Sequence, residues 1–208
     1  MGAYTNYVQD FPNRCNEVLE AFSYCAQIIG REATLLLAVA TPCLILPYER
    51  LQKKFHPSRD QKKFTKAKST LDAKVLKKCG ESCLWSTPNA WRFKKLDRTE
   101  LSDDPWQWGL DVDTESIVDK KAKFVLSILR NALAHGSIWT INDPIDTLVF
   151  VSLVEWKDNL KCEGPFNTIQ CSPKELGQFL KNWVNFLSEL KIPAEQCVDT
   201  GSFRDEPE

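Results

Sequence analysis

Arg130, Asn131 and His135 are the residues of this chain whose types and spacing could do chemistry, and all three lie in Lys120–Gly136, KKAKFVLSILRNALAHG. At about 100° per residue, with Ser127 set to zero, Val125, Leu126, Ile128, Leu129, Ala132 and Leu133 fall between about 100° and 260°, a full apolar face. Ser127, Arg130, Asn131, Ala134 and His135 occupy the arc from about 300° through zero to 80°. The second face is therefore small and polar, and Ser127 and Ala134 would let another surface approach closely. Arg130 and His135 are about 7.5 Å apart along the axis, while Asn131 and His135 are i, i+4 neighbours. A permanent cation beside a group that titrates near neutrality suits cleavage of a phosphodiester by the ribose 2′-hydroxyl. A base must take the 2′-proton, an acid must protonate the leaving 5′-oxygen, and a cation must offset charge on the phosphorane. His135 would move the protons, Arg130 would hold the phosphate, and Asn131 would orient His135 or a phosphate oxygen. One histidine cannot easily do both transfers from one position, so two copies of the helix across a two-fold axis are expected.

Other chemistries are poorly supplied. The two histidines, His56 and His135, exclude a histidine-rich metal site, and His56 reads as a surface residue in a basic stretch. The eight glycines are never closer than 13 positions, so no glycine-rich phosphate loop can be written. No cysteine stands at helical spacing from His135, which disfavours a cysteine hydrolase. Of the eight cysteines, Cys79 and Cys83 are the one close pair; with no second pair or histidine nearby, they read as thiols and not as a zinc site. The cleavage route sketched above needs no metal, and no cofactor is expected. Residues 1–30 carry Asp10, Arg14, Glu17 and Glu20 without an apolar signal run, so the expectation is a cytoplasmic protein with reduced thiols.

With 27 basic and 28 acidic residues among 208, a uniformly basic coat is absent. The charges are segregated, however. Arg50 to Lys95 holds 14 Lys or Arg against Asp60, Asp72 and Glu81, whereas 97–119 holds eight acids and one base. Lys53, Lys54, Lys62, Lys63, Lys66 and Lys68 therefore read either as an RNA-binding face or as an ordinary solvated surface.

The elements that must position the candidate residues are mostly helical. Residues 13–29 place Val18, Leu19, Phe22, Cys25, Ile28 and Ile29 at amphipathic spacing, ended by Gly30. The uncharged run 33–47 is too short to span a bilayer and carries two prolines, so it predicts a buried core helix kinked at Pro42. Glu49, Arg50, Lys53 and Lys54 then return the chain to solvent. A short helix follows over 67–79, bounded by Gly80. Trp85, Trp91, Trp106 and Trp108 mark an irregular insertion and suit core packing better than base stacking. A long helix is expected over 114–134, then a small β-hairpin over about 137–154 broken at Asn142-Asp143-Pro144. Ser172-Pro173-Lys174-Glu175 opens a capped helix to about 191. The organisation is a mainly α single domain over 1–195, with a basic and tryptophan-rich insertion at about 57–111. Residues 196–208 read as a disordered tail.

Arg130-Asn131-Ala132-Leu133-Ala134-His135 resembles the Rx4-6H signature of the HEPN (higher eukaryotes and prokaryotes nucleotide-binding) superfamily, including the polar residue after the arginine. Its place on a late helix, after an N-terminal helix pair, is similar too. The resemblance implies a HEPN-like helical bundle with both motifs at a homodimer interface. It also implies metal-independent RNA cleavage in toxin or defence settings, with an antitoxin or defence-system partner and no membrane. The alternative it carries is a catalytically inactive HEPN module that binds RNA, nucleotide or a protein partner. HEPN toxins paired with a nucleotidyltransferase carry a tyrosine two residues after the histidine, where this chain has Ser137, so control through that tyrosine is not expected.

Overall fold

The computed structural model describes residues 7–52, 61–97, 101–154 and 165–192. Its α-helices are Tyr7–Ile28 (α1), Glu32–Gln52 (α2), Gln61–Val75 (α3), Ala122–His135 (α4) and Pro173–Ser188 (α5). Its strands are Arg92–Leu96 (β1), Glu115–Ser116 (β2), Ile138–Ile141 (β3), Thr147–Leu153 (β4) and Phe166–Cys171 (β5). The strands form one antiparallel sheet in the order β2-β1-β5-β4-β3.

The uncharged run becomes the inner helix. α2 places Leu36, Ala40, Cys43 and Leu44 in the core and packs against α1, α4 and α5. By length and composition alone Glu32–Leu51 could cross a membrane, but in this fold its inner face is covered by those helices. Pro42 and Pro47 both lie inside it. Pro47 has no N–H for the Cys43 carbonyl one turn back, and the buried indole of Trp183 on α5 donates to that carbonyl at 3.2 Å instead. α5 opens with a capping box, in which Ser172 accepts from the Glu175 backbone and the Glu175 carboxylate accepts from the Ser172 backbone. At its far end Gln9 of α1 donates to the carbonyls of Leu187, Ser188 and Leu190, closing groups that a helix terminus leaves open.

The β content exceeds the expected hairpin. That hairpin exists as β3 and β4, but β5 joins β4, β1 comes from the insertion and β2 from the segment just after it. The pattern was hidden because β1 and β2 are five and two residues long and pair with residues far away in the chain. For the same reason the helix expected over 114–134 begins at Ala122: Glu115 and Ser116 pair with Phe93 and Arg92 instead. α1 in turn starts at Tyr7, six positions earlier than its apolar spacing suggests, and carries Pro12 inside. Helices cover one sheet face, where Phe93, Leu148, Phe150 and Ile169 join the main core. On the other face Trp108 and Leu110 cover Leu96, Ile141, Val149 and Val151. The insertion's tryptophans are thus core residues at Trp85, Trp91 and Trp108, and Trp106 is exposed.

Another expectation holds only in part on α1. Of the expected stripe, Leu19 packs against the core, whereas Val18, Phe22 and Ile28, with Ile29 just past the helix end, face outward; the buried residues are Val8, Pro12 and Ala26. α1 meets the core through Val8, Pro12, Cys15, Leu19 and Ala26, and Gln9 bonds to the end of α5, so the stripe at Val18, Phe22 and Ile28 is left outside.

Candidate active site

α4 is the element around which the candidate residues assemble. Its apolar face is buried in full at Val125, Leu126, Ile128, Leu129, Ala132 and Leu133, between α2 and the inner face of β4. That burial sets the rotation of the helix and turns Ser127, Arg130, Asn131, Ala134 and His135 towards its outer side. The helix stops at Gly136, whose φ of 67° is the left-handed conformation that glycine adopts without a Cβ penalty. Its N–H closes back on the Ala132 carbonyl, and the Ser137 N–H reaches the same oxygen at 2.9 Å. His135 is the last helical residue and is exposed, as is Ala134.

Arg130 does not stand in open solvent. Its Nη2 pairs with the Glu49 carboxylate near the end of α2, and its Nη1 donates to Asn131 Oδ1 at 2.8 Å. Asn131 in turn donates to Ser152 Oγ on β4 at 3.1 Å, and Ser152 donates to the Leu153 carbonyl at 3.2 Å. Ser152 points inwards because it shares the strand alternation of Leu148 and Phe150. A polar chain Glu49–Arg130–Asn131–Ser152 therefore links α2, α4 and β4 along one edge of the core. Tyr48, next to Glu49, has its phenol pushed up by burial and by the carboxylates of Asp72 and Glu49, with the Arg130 charge opposing the shift.

The sequence placed Glu49 on the way back to solvent, and the structure corrects this. Its side chain is 16% exposed, against 33% for Arg130. The available signal is an acid two positions after the fifteen-residue uncharged run 33–47, but nothing in the sequence says which residue it meets. Asn131 was expected to face His135 or a phosphate; its bonds in the structure are to Arg130 and Ser152. Ser127 donates to the Phe124 carbonyl at 2.7 Å and is half-buried.

Of the candidate RNA-binding lysines, Lys62, Lys63, Lys66 and Lys68 fall on α3, with Lys66 exposed and Lys68 half-buried. Lys53 and Lys54 lie outside the described residues, as do His56 and the tail. Cys79 is buried and Cys83 exposed, and no group of three or more metal-ligating side chains occurs among the described residues.

The family model described as HEPN pEK499 p136 matches residues 1–193, nearly the whole chain and the entire set of elements just described. The chain belongs to this HEPN family. Comparison with curated proteins and with solved structures gives no match. HEPN proteins commonly act as dimers and bind RNA, and many are ribonucleases. In this HEPN protein the arginine of the motif is the one bound to Glu49, and its histidine is the exposed residue that ends α4.

Proposed function

We propose that this HEPN protein is a metal-independent endoribonuclease of the toxin or defence type, acting in the cytoplasm at a composite site between two copies of α4. The observation that carries this reading is the pairing, on the outer side of one locked helix, of an exposed imidazole with a guanidinium held by partners on two elements. In the proposed reaction the ribose 2′-oxygen attacks phosphorus while one His135 takes its proton. The P–O5′ bond breaks as a protonated His135, supplied by the second copy, gives a proton to the 5′-oxygen. The products are a 2′,3′-cyclic phosphate and a 5′-hydroxyl end. Arg130 offsets charge on the phosphorane oxygens, and Asn131 holds Arg130. Ser127 and Ala134, both small, line the face at which the second copy docks, and the lysines of α3 together with Lys53 and Lys54 attract the RNA backbone.

The test is incubation of purified protein with single-stranded RNA in EDTA, with end-group analysis and His135→Ala as the control. Cyclic-phosphate ends that vanish in the variant support the reading. A monomer by sedimentation at micromolar concentration would overturn the composite site. A second reading is a HEPN module that binds RNA, nucleotide or a protein partner without cutting. It is favoured by the Glu49 carboxylate, which already offsets the Arg130 charge; retained RNA binding with no cleavage in any buffer would establish it.

A further inference from the structure

We propose that Glu49 is a positioning residue: from α2, it holds the Arg130 guanidinium in the orientation that receives the phosphate. The inference rests on the RNA-cleaving reading above and adds a residue that the Rx4-6H motif does not contain. An arginine offers five N–H donors in a fixed planar fork. Here one goes to Glu49 and one to Asn131, so three remain, and the Nε donor among them is buried without a partner. A guanidinium serving only the fold would be expected to have its inward donors satisfied, because an unmet buried donor is costly. This one is gripped at two points while one buried donor, Nε, goes unmet.

The two exposures decide between a holder and a latch. A carboxylate that blocked the site would sit on the solvent side of the guanidinium, between it and incoming phosphate. Glu49 is the more buried partner, at 16% against 33% for Arg130, so the carboxylate is the less solvent-accessible of the two, as a holder requires. The second grip acts in the same way, because Asn131 is itself tied to Ser152 on β4. A long, flexible side chain is thus fixed from α2 on one side and from the sheet on the other. Misplacement of a phosphate-holding group by about 1 Å can cost on the order of 10²-fold in rate.

The experiment compares Glu49→Ala and Glu49→Gln, each alone and combined with Arg130→Ala. It measures cleavage of single-stranded RNA across pH, and affinity for a 2′-O-methyl RNA of the same sequence, which cannot be cleaved. Glu49→Ala is expected to lower kcat about 10²-fold. Glu49→Gln should recover to within about 10-fold of wild type, because its amide oxygen still accepts from Nη2. The pH profile of Glu49→Gln should keep the limbs of the wild type, since the proton-transferring imidazole is untouched. Neither Glu49 variant should weaken RNA binding further once Arg130 is alanine. Glu49→Gln as inactive as Glu49→Ala with a lost pH limb would make Glu49 a proton-transferring group and overturn the proposal. A gain in affinity or rate would make it a latch, and additive losses with Arg130→Ala would make it independent of that arginine; each overturns the proposal. If Arg130→Ala itself changes neither cleavage nor affinity, the RNA-cleaving reading fails first and takes this inference with it. Should Glu49→Ala unfold, the isosteric Glu49→Gln carries the same comparisons.

Discussion

α1 and α4 are both amphipathic helices with clear apolar spacing, yet the fold treats them in opposite ways. Every bulky apolar residue from Val125 to Leu133 on α4 is buried, whereas Val18, Phe22 and Ile28 on α1 and Ile29 just past its end are between 46% and 67% exposed. Periodicity says which side of a helix is apolar. It does not say what covers that side. α4 runs between α2 and the sheet, so its apolar face finds surfaces on two sides and its rotation is set. α1 lies against α2 and α5, where Gln9 and Asn13 bond to Ser188 and only Val8, Pro12, Cys15, Leu19 and Ala26 turn to the core. The difference bears on the proposed function, because the site proposed on α4 would inherit the rigidity of that packing.

The sharpest way to break the comparison is chemical. Arg130→Lys should lower RNA cleavage by about 10²–10³-fold in single-turnover assays, since a point charge cannot reproduce the fork that meets Glu49, Asn131 and a phosphate together. Sedimentation and circular dichroism should be unchanged, because the residue lies outside the apolar face. Full activity in the lysine variant would separate the outer side of α4 from the chemistry altogether.

The stability contrast comes next. Leu129→Ala, at a fully buried position of α4, should cost about 2–5 kcal/mol in urea unfolding. Phe22→Ala, on the open side of α1, should change it by no more than about 0.5 kcal/mol. Equal losses at the two sites would mean that the α1 stripe is covered in solution. Trp183→Phe tests the frame that holds α2 in place. It removes the one donor to the Cys43 carbonyl that Pro47 cannot serve, and should cost about 1–3 kcal/mol. A loss below the error of the unfolding curve would show that the carbonyl is satisfied otherwise.

The smallest effect is a difference in labelling. Cys25 is exposed on α1, whereas Cys79 is buried and its thiol is pushed up to about 12 by desolvation. Alkylation needs the thiolate, which at pH 8 is scarce on Cys79 and blocked from reagent. Mass spectrometry after brief iodoacetamide treatment should find Cys25 and Cys83 modified, with Cys43, Cys79 and Cys171 modified only on unfolding. Fast labelling of Cys79 would place the join between α3 and α4 in an open state.

Particular residues mark how far the sequence could be read. Val125 to His135 could be sorted into two faces, and Ser172 to Glu175 into a capped start, because a helix is written in contacts three and four positions apart. Gly136 as the stop is legible for the same reason. The hairpin of β3 and β4 was within reach, since its turn lies between its strands. The sequence alone therefore determined the two faces and the stop of α4, though not its start at Ala122, and the arginine–histidine spacing that places the chain near the HEPN signature. Only the tertiary structure decided that β1 pairs with β5 some seventy-five positions later, that Trp85, Trp91 and Trp108 turn into two cores, and that Glu49 meets Arg130 across 81 positions. Those contacts depend on where distant segments come to rest, and no local period encodes that. The motif arginine was visible in the sequence; the carboxylate that holds it became visible only when α2 was laid beside α4.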